Sequence, residues 1–191
     1  MKRPLTLIAT IALLGVAWSI YASAPQKAPE LPVLSSAAWI NSSPLTLASL
    51  RGHPVLVEFW TFDCSNCRAT LPWVVRVHDR YGPRGLTVIG IHSPEFEHER
   101  DPAAVRRHVQ QLGIRYPVLV DNDFMYWNAV GNRFWPAFLL IDPSGHVVAR
   151  RIGELHAGDD DADSLEHAIA SYLPPTGAAR ASGAPATGNH P

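Results

Sequence analysis

Cysteine is nearly absent: the 191 residues hold two, Cys64 and Cys67, with two positions between them. A framework of structural disulfides uses several cysteines that close long loops, whereas a pair this close staples almost nothing, so the two thiols are there for chemistry. An excess of either charge is also missing. Sixteen Lys and Arg against seventeen Asp and Glu leave a formal net charge of −1. No basic run interleaves with aromatics, which excludes the electrostatic footprint of a nucleic-acid binder. No internal repeat is visible. Hydrophobic residues at 47% and charged ones at 17% suit a packed domain and argue against wholesale disorder.

Long apolar runs are lacking except at the start, where Met1-Lys2-Arg3-Pro4 precedes an uncharged stretch from Leu5 to Tyr21. A positive start followed by an apolar run is an export signal. Its length lies between a signal-peptide core and the roughly 20 residues of a membrane span. Cleavage after Ala22-Ser23-Ala24 would leave Pro25 first in the mature chain, which favours an uncleaved anchor. The expected layout is a signal peptide or N-terminal membrane anchor over 1–24, a linker over 25–35, one domain over 36–173, and a disordered Pro/Ala/Gly tail over 174–191.

Within the domain, short apolar runs alternate with amphipathic ones, the pattern of an α/β fold with helices around a mixed sheet. Val55 to Trp60 reads as a buried strand and Leu86 to His92 as the next. A helix is expected from about Cys64 to Tyr81, kinked but not ended by Pro72 because apolar spacing resumes at Trp73, Val74 and Val77. Asp101-Pro102 offers an N-cap and a first-turn proline for a helix over Ala103 to Leu112. Tyr116 to Val120 reads as a short strand. Asp123 is the expected cap of a helix from Met125 to Val130, closed by Gly131. Ala137 to Ile141 and His146 to Ile152 flank Asp142-Pro143-Ser144-Gly145 and form a hairpin, and Ser164 to Leu173 forms the last helix.

The chemistry centres on Trp60-Thr61-Phe62-Asp63-Cys64-Ser65-Asn66-Cys67, where a buried strand hands over to a helix. Unpaired N–H groups and the helix dipole stabilise a thiolate at that point, so Cys64 is the expected nucleophile. Cys67, one turn on, is placed to attack the mixed disulfide and resolve it. A structural zinc site needs four ligands, yet there is no second CxxC and no His at short spacing from Cys67. Covalent haem would need His where Arg68 stands. No metal and no cofactor other than the Cys64–Cys67 disulfide are therefore expected. Asp63 opposes thiolate formation by like charge, so the helix terminus must outweigh it. Glu58, inside an apolar strand, should have its pKa raised toward neutrality and exchange a proton with Cys67; a structural carboxylate bonded to backbone is the alternative.

Several separated motifs then share one order: Val57-Glu58-Phe59-Trp60 ahead of the cysteines, Pro72 five residues after Cys67, Gly90-Ile91-His92-Ser93-Pro94-Glu95-Phe96, Leu119-Val120-Asp121-Asn122-Asp123, and Gly131-Asn132-Arg133-Phe134-Trp135-Pro136. Over Leu45 to Gly153 the chain resembles the thioredoxin superfamily, within it the TlpA-like group, and most nearly the DipZ-type thioredoxin-like domain. The resemblance implies a single domain of thioredoxin-like fold, with a central mixed β-sheet flanked by helices. It also implies a cis Trp135-Pro136 bond packed on the Cys64 side, which leaves the preceding backbone free to pair with an extended substrate. His92 and Glu95 belong to it as residues of a loop near the site. Many TlpA-like reductases keep a glutamate three residues after the second cysteine; Thr70 stands there, which makes Glu58 the candidate acid.

Catalytic candidates are thus Cys64, Cys67, Glu58 and Pro136, with Trp60, Phe62, Trp135, Ser65 and Asn66 as substrate-binding candidates. Trp60 and Phe62 are expected to shield the cysteines and offer apolar surface to a protein partner, with core packing an equal explanation of Trp60, and Ser65-Asn66 to tune the potential. The expected function is a membrane-tethered, monomeric thiol-disulfide oxidoreductase of the periplasm or cell envelope. It would take electrons from a transmembrane thiol donor and reduce or exchange disulfides in exported proteins, apocytochromes c among them. Two alternatives are a peroxiredoxin-type thiol peroxidase, since Thr61 stands three residues before Cys64 although Val57 replaces that motif's proline, and a non-catalytic binding module of the same fold.

Overall fold

Strand β2 (Val55–Trp60) sits at the centre of the sheet and is buried along its whole length. The computed structural model describes residues 26–175; the expected anchor over 1–24 and nearly all of the expected tail over 174–191 lie outside them. Five further strands complete the sheet: β1 (Trp39–Ile40), β3 (Thr87–His92), β4 (Val118–Val120), β5 (Ala137–Ile141) and β6 (Val147–Ile152). Their order is β1-β4-β3-β2-β5-β6. β2 runs parallel to β3 and β3 to β4, while β1, β5 and β6 pair antiparallel, so the sheet is mixed as expected.

Side chains alternate along β2, and the alternation splits the core in two. Leu56 and Trp60 join the face covered by α1 (Ser65–Tyr81), α2 (Pro102–Gln111) and α4 (Asp160–Ser171). Val55, Val57 and Phe59 join the other face, covered by α3 (Met125–Ala129) and the N-terminal segment. Helix α1 runs through Pro72 without a break, because Leu71, Val74, Val77 and Tyr81 keep one stripe buried against the sheet. Asp101 caps α2 by accepting the Ala103 N–H at 2.9 Å, with Pro102 in the first turn.

Three expectations need correction. The cap of α3 is Asp121, not Asp123: its carboxylate takes the N–H groups of Met125, Tyr126 and Trp127 at 2.7, 3.1 and 3.0 Å. The chain turns left-handed at Phe124 (φ 56°), which carries Asp123 into solvent and brings the helix start over Asp121. Helix α4 begins at Asp160, four residues before Ser164, with Asp160, Asp161 and Asp163 in the turn where the dipole favours carboxylates. The linker over 25–35 is docked within the described residues: Ala28 and Leu31 are buried, Gln26 and Ala28 pair with Val147 and Gly145, and the Glu30 carboxylate accepts the Leu47 and Ala48 N–H groups. The domain's packing therefore starts before residue 36. Strand β1, two residues long, was too short for alternation to reveal.

α4 is tied to α1 by one carboxylate. Buried Glu166 accepts from Trp73 Nε1 at 2.9 Å and the Tyr81 hydroxyl at 3.1 Å, and pairs with Arg76 at 2.5 Å and Arg80 at 3.2 Å. Glu166→Leu strands the Trp73 and Tyr81 donors in the core, so it is expected to cost about 3 kcal/mol, measured by urea unfolding. A loss below about 1 kcal/mol would show that this carboxylate does not couple the helices.

Candidate functional site

Cys64 occupies the N-cap of α1 in extended conformation (φ −69°, ψ 112°), and its Sγ accepts the Cys67 N–H at 3.2 Å. The two cysteines are joined as a disulfide, with Cα atoms 5.3 Å apart. Cys64 is half-buried and Cys67 buried, so the first sulfur is the reachable one. Ser65 and Asn66 are exposed between them, the Ser65 hydroxyl donating to Asn66 Oδ1 at 3.3 Å. The helix start thus sets the asymmetry that nucleophile and resolving roles require.

Glu58 lies on the central strand β2 that leads into this centre. Because it falls between Leu56 and Trp60 on β2, it projects toward the α1 face, where Cys67 packs. It is wholly buried, and Oε2 accepts the Tyr116 hydroxyl at 2.7 Å while Oε1 has no hydrogen-bond partner. Burial pushes its pKa up from 4.5 to about 7, against the smaller opposing effect of the Tyr116 bond. The alternative of a carboxylate tied to backbone is not what the structure holds. Gly90, opposite Glu58 on β3, makes room for this pairing: a Cβ there would meet Trp60 Nε1 at 2.9 Å and the Tyr116 ring at 3.2 Å.

The Trp135-Pro136 bond is cis. Pro136 is buried and Trp135 half-buried, its Nε1 donating to the Ser93 carbonyl at 3.0 Å. Trp135, like Cys64, packs against the core cluster that contains Cys67, and its ring lies 4.3 Å from Trp127. Trp60 and Phe62, in contrast, present no surface. They are 2% and 3% exposed. Trp60 points into the α1-side core, edge-on to His92, and Phe62 stacks on His108 of α2 at 4.1 Å and on His92 at 5.5 Å. The exposed aromatics of the described residues near these loops are Phe96 and Phe134, which sequence reading did not select.

The loop from Ser93 to Asp101, between β3 and α2, supplies residues that the sequence did not reveal as functional. Glu99 is fully buried and accepts four hydrogen bonds: the Thr61 hydroxyl and Asp63 N–H (3.1 Å) on Oε1, and the Glu95 (2.6 Å) and Phe96 (2.8 Å) N–H groups on Oε2. Burial alone would raise its pKa, but these bonds outweigh it and hold the carboxyl below the usual range. His92 Nε2 reaches the Thr61 hydroxyl at 3.3 Å, and burial pulls its pKa down to about 4, so the ring is neutral at pH 7. Glu95 contributes its amide only, its side chain being exposed. Thr70 is buried and its hydroxyl accepts the Leu155 N–H at 3.0 Å, a structural use of the position. Among the described residues no group of three or more His, Cys, Asp or Glu side chains is arranged to hold a metal.

These features define a thioredoxin-fold protein with a cysteine pair at a helix start beside a cis-proline loop. The chain belongs to the AhpC/TSA family, which matches residues 25–150. Over 130 residues it is 41% identical to Protein DipZ of Mycobacterium bovis, covering 66% of this chain and 18% of DipZ, so it spans less than a fifth of that relative's length. It is 31% identical over 123 residues to thiol-disulfide oxidoreductase YkuV of Bacillus subtilis, covering 64% of this chain and 80% of YkuV. A thiol-disulfide isomerase from Corynebacterium glutamicum superposes with a TM-score of 0.63 at 27% identity, covering 76% of this chain and 96% of that one.

Native Glu58 holds its proton to higher pH than the unfolded chain does. Its contribution to stability is therefore full below about 4.5 and lost as pH rises through about 7. Glu58→Gln, whose amide oxygen can still accept from Tyr116, is expected to remove that fall. The wild-type minus variant difference in unfolding free energy should drop by about 3 kcal/mol between pH 4.5 and 8. A pH-independent difference would contradict the raised pKa.

Proposed function

We propose that the protein is an envelope thiol-disulfide oxidoreductase that reduces or exchanges disulfides in exported proteins. The observation that carries this reading is Cys64 capping α1 with Cys67 one turn behind it and a buried glutamic acid on the same face. In the reduced enzyme the Cys64 thiolate attacks a substrate disulfide, forming a mixed disulfide and expelling one substrate thiolate. Cys67 gives up its proton and attacks Cys64 Sγ, which restores the Cys64–Cys67 bond, releases the second substrate thiolate and oxidises the enzyme by two electrons. Glu58, poised near neutrality, takes the Cys67 proton through water and returns it on re-reduction. Trp135 and Pro136 flank an extended substrate segment, and exposed Ser65 and Asn66 face it from the first helical turn.

The charged and apolar start from Met1 to Tyr21 supports export and tethering to the inner membrane. A tethered monomer in an oxidising compartment needs continual re-reduction, so a transmembrane thiol carrier is its electron donor, and apocytochromes c are among its substrates. No helix among the described residues is long and apolar enough to cross a membrane; the segment from Met1 to Tyr21 is not among them. The peroxidase reading is disfavoured because Thr61 is buried with its hydroxyl given to Glu99, not turned toward a peroxide beside Cys64.

Cys67→Ser in cells is expected to accumulate mixed disulfides with envelope proteins, separable on non-reducing gels and named by mass spectrometry, while Cys64→Ser traps far fewer. Equal trapping by both variants, or none by either, would sink the assignment of roles. Wild-type protein that consumes peroxide faster than it reduces a protein disulfide would favour the peroxidase instead.

A further inference from the structure

Asp63, the residue before the nucleophile, is held at both of its polar groups by two consecutive residues of the β3–α2 loop. Its amide N–H goes to Glu99 Oε1 at 3.1 Å, and its carboxylate Oδ2 meets His98 Nε2 at 2.5 Å. We propose that His98 and Glu99 are positioning residues of the dithiol: by gripping Asp63 they fix the Cys64 loop and offset the charge beside it, and so set the acidity of the Cys64 thiol. This rests on the reading that Cys64 is the nucleophile.

A fully buried carboxylate is costly unless donors surround it, and Glu99 draws its four donors equally from two loops. Thr61 and Asp63 bracket the turn into α1, whereas Glu95 and Phe96 belong to the loop of Glu99 itself. The carboxylate therefore locks the active-site turn to the β3–α2 loop. Phe62, between its two anchored neighbours, is clamped from the side by the rings of His92 and His108. The same loop carries the Ser93 carbonyl that receives Trp135 Nε1, so the turn into α1 and the Trp135-Pro136 segment are fixed to one support.

His98 acts on charge. An uncompensated carboxylate next to Cys64 raises the energy of a thiolate, and the hydrogen-bonded imidazole withdraws part of that charge. The side chains of His98 and Asp63 are 60% and 43% exposed, so the effect has the size of a surface pair. Glu97 is engaged with Arg100 at 3.2 Å and does not compete for His98.

The test is the rate of Cys64 alkylation against pH in the reduced full-length protein, for wild type, His98→Gln, Asp63→Asn and the double variant. His98→Gln is expected to slow alkylation about two- to fivefold at a pH below the titration midpoint, and Asp63→Asn to speed it by a similar factor. In the Asp63→Asn background, His98→Gln should change nothing further, because the charge it offsets is gone. Glu99→Gln, which sets an amide against the Asp63 N–H, should move the Cys64 midpoint toward that of free cysteine. It should also shift the glutathione exchange equilibrium toward the disulfide. The exposed pair keeps the test open if Glu99→Gln fails to fold. Equal effects of His98→Gln with and without Asp63, or no effect of either substitution on a reactive Cys64, would overturn the proposal. A wild-type Cys64 that titrates like free cysteine would instead overturn the nucleophile reading beneath it.

Discussion

Where β2 gives way to α1, the backbone N–H groups of the first helical turn have no acceptor within the helix, and this chain offers one of them, that of Cys67, a sulfur. The dipole of a 17-residue helix adds a partial positive charge at the same spot. Two thiols otherwise alike are thereby made unlike. Cys64 faces the helix terminus and is partly open to solvent, while Cys67 is closed off against the core. The sheet, the two layers of helices and the loops over the strand ends serve to keep that turn in place.

Three acids support the arrangement in different ways, and burial with hydrogen bonding sorts them. Glu58 has one donor and an unpartnered oxygen, so desolvation dominates and the proton is retained near neutrality. Glu99 is equally hidden from solvent but has four donors, so it stays charged and serves as a fixed acceptor. Asp63 is exposed and answered by a single imidazole. One fold thus holds a buried acid that keeps its proton to near neutrality, a buried anion and an exposed carboxylate.

Much of this was legible in the sequence because it depends on local rules. β2 is a short β-rich apolar run, Cys64 comes just after it beyond Thr61-Phe62-Asp63, Asp101-Pro102 is a cap with a first-turn proline, and Asp142 to Gly145 is a turn in a hairpin. The cis bond at Trp135-Pro136 was legible only through the family resemblance. What escaped notice depends on contacts far apart in sequence or on the sense of one dihedral. Asp121 and Asp123 look equivalent until Phe124 turns left-handed. Phe62 looks like a surface aromatic beside a reactive pair until α2 brings His108 over it, and Trp60 turns into the core edge-on to His92. Glu99 sits in the charged run Glu97-His98-Glu99-Arg100, where nothing in composition separates the buried member from its exposed neighbours. The segment from Gln26 to Leu31 reads as a Pro-rich tether, and only its pairing with the β5–β6 hairpin and its buried Leu31 make it part of the domain.

The direct measurement of the central claim is the ultraviolet absorbance of the thiolate in the reduced protein, followed as pH is lowered, with Cys67→Ala isolating Cys64. The account predicts a midpoint well below the value of about 8.5 for free cysteine. A midpoint at or above that value would mean that the helix terminus does not stabilise the sulfur, and would contradict the account.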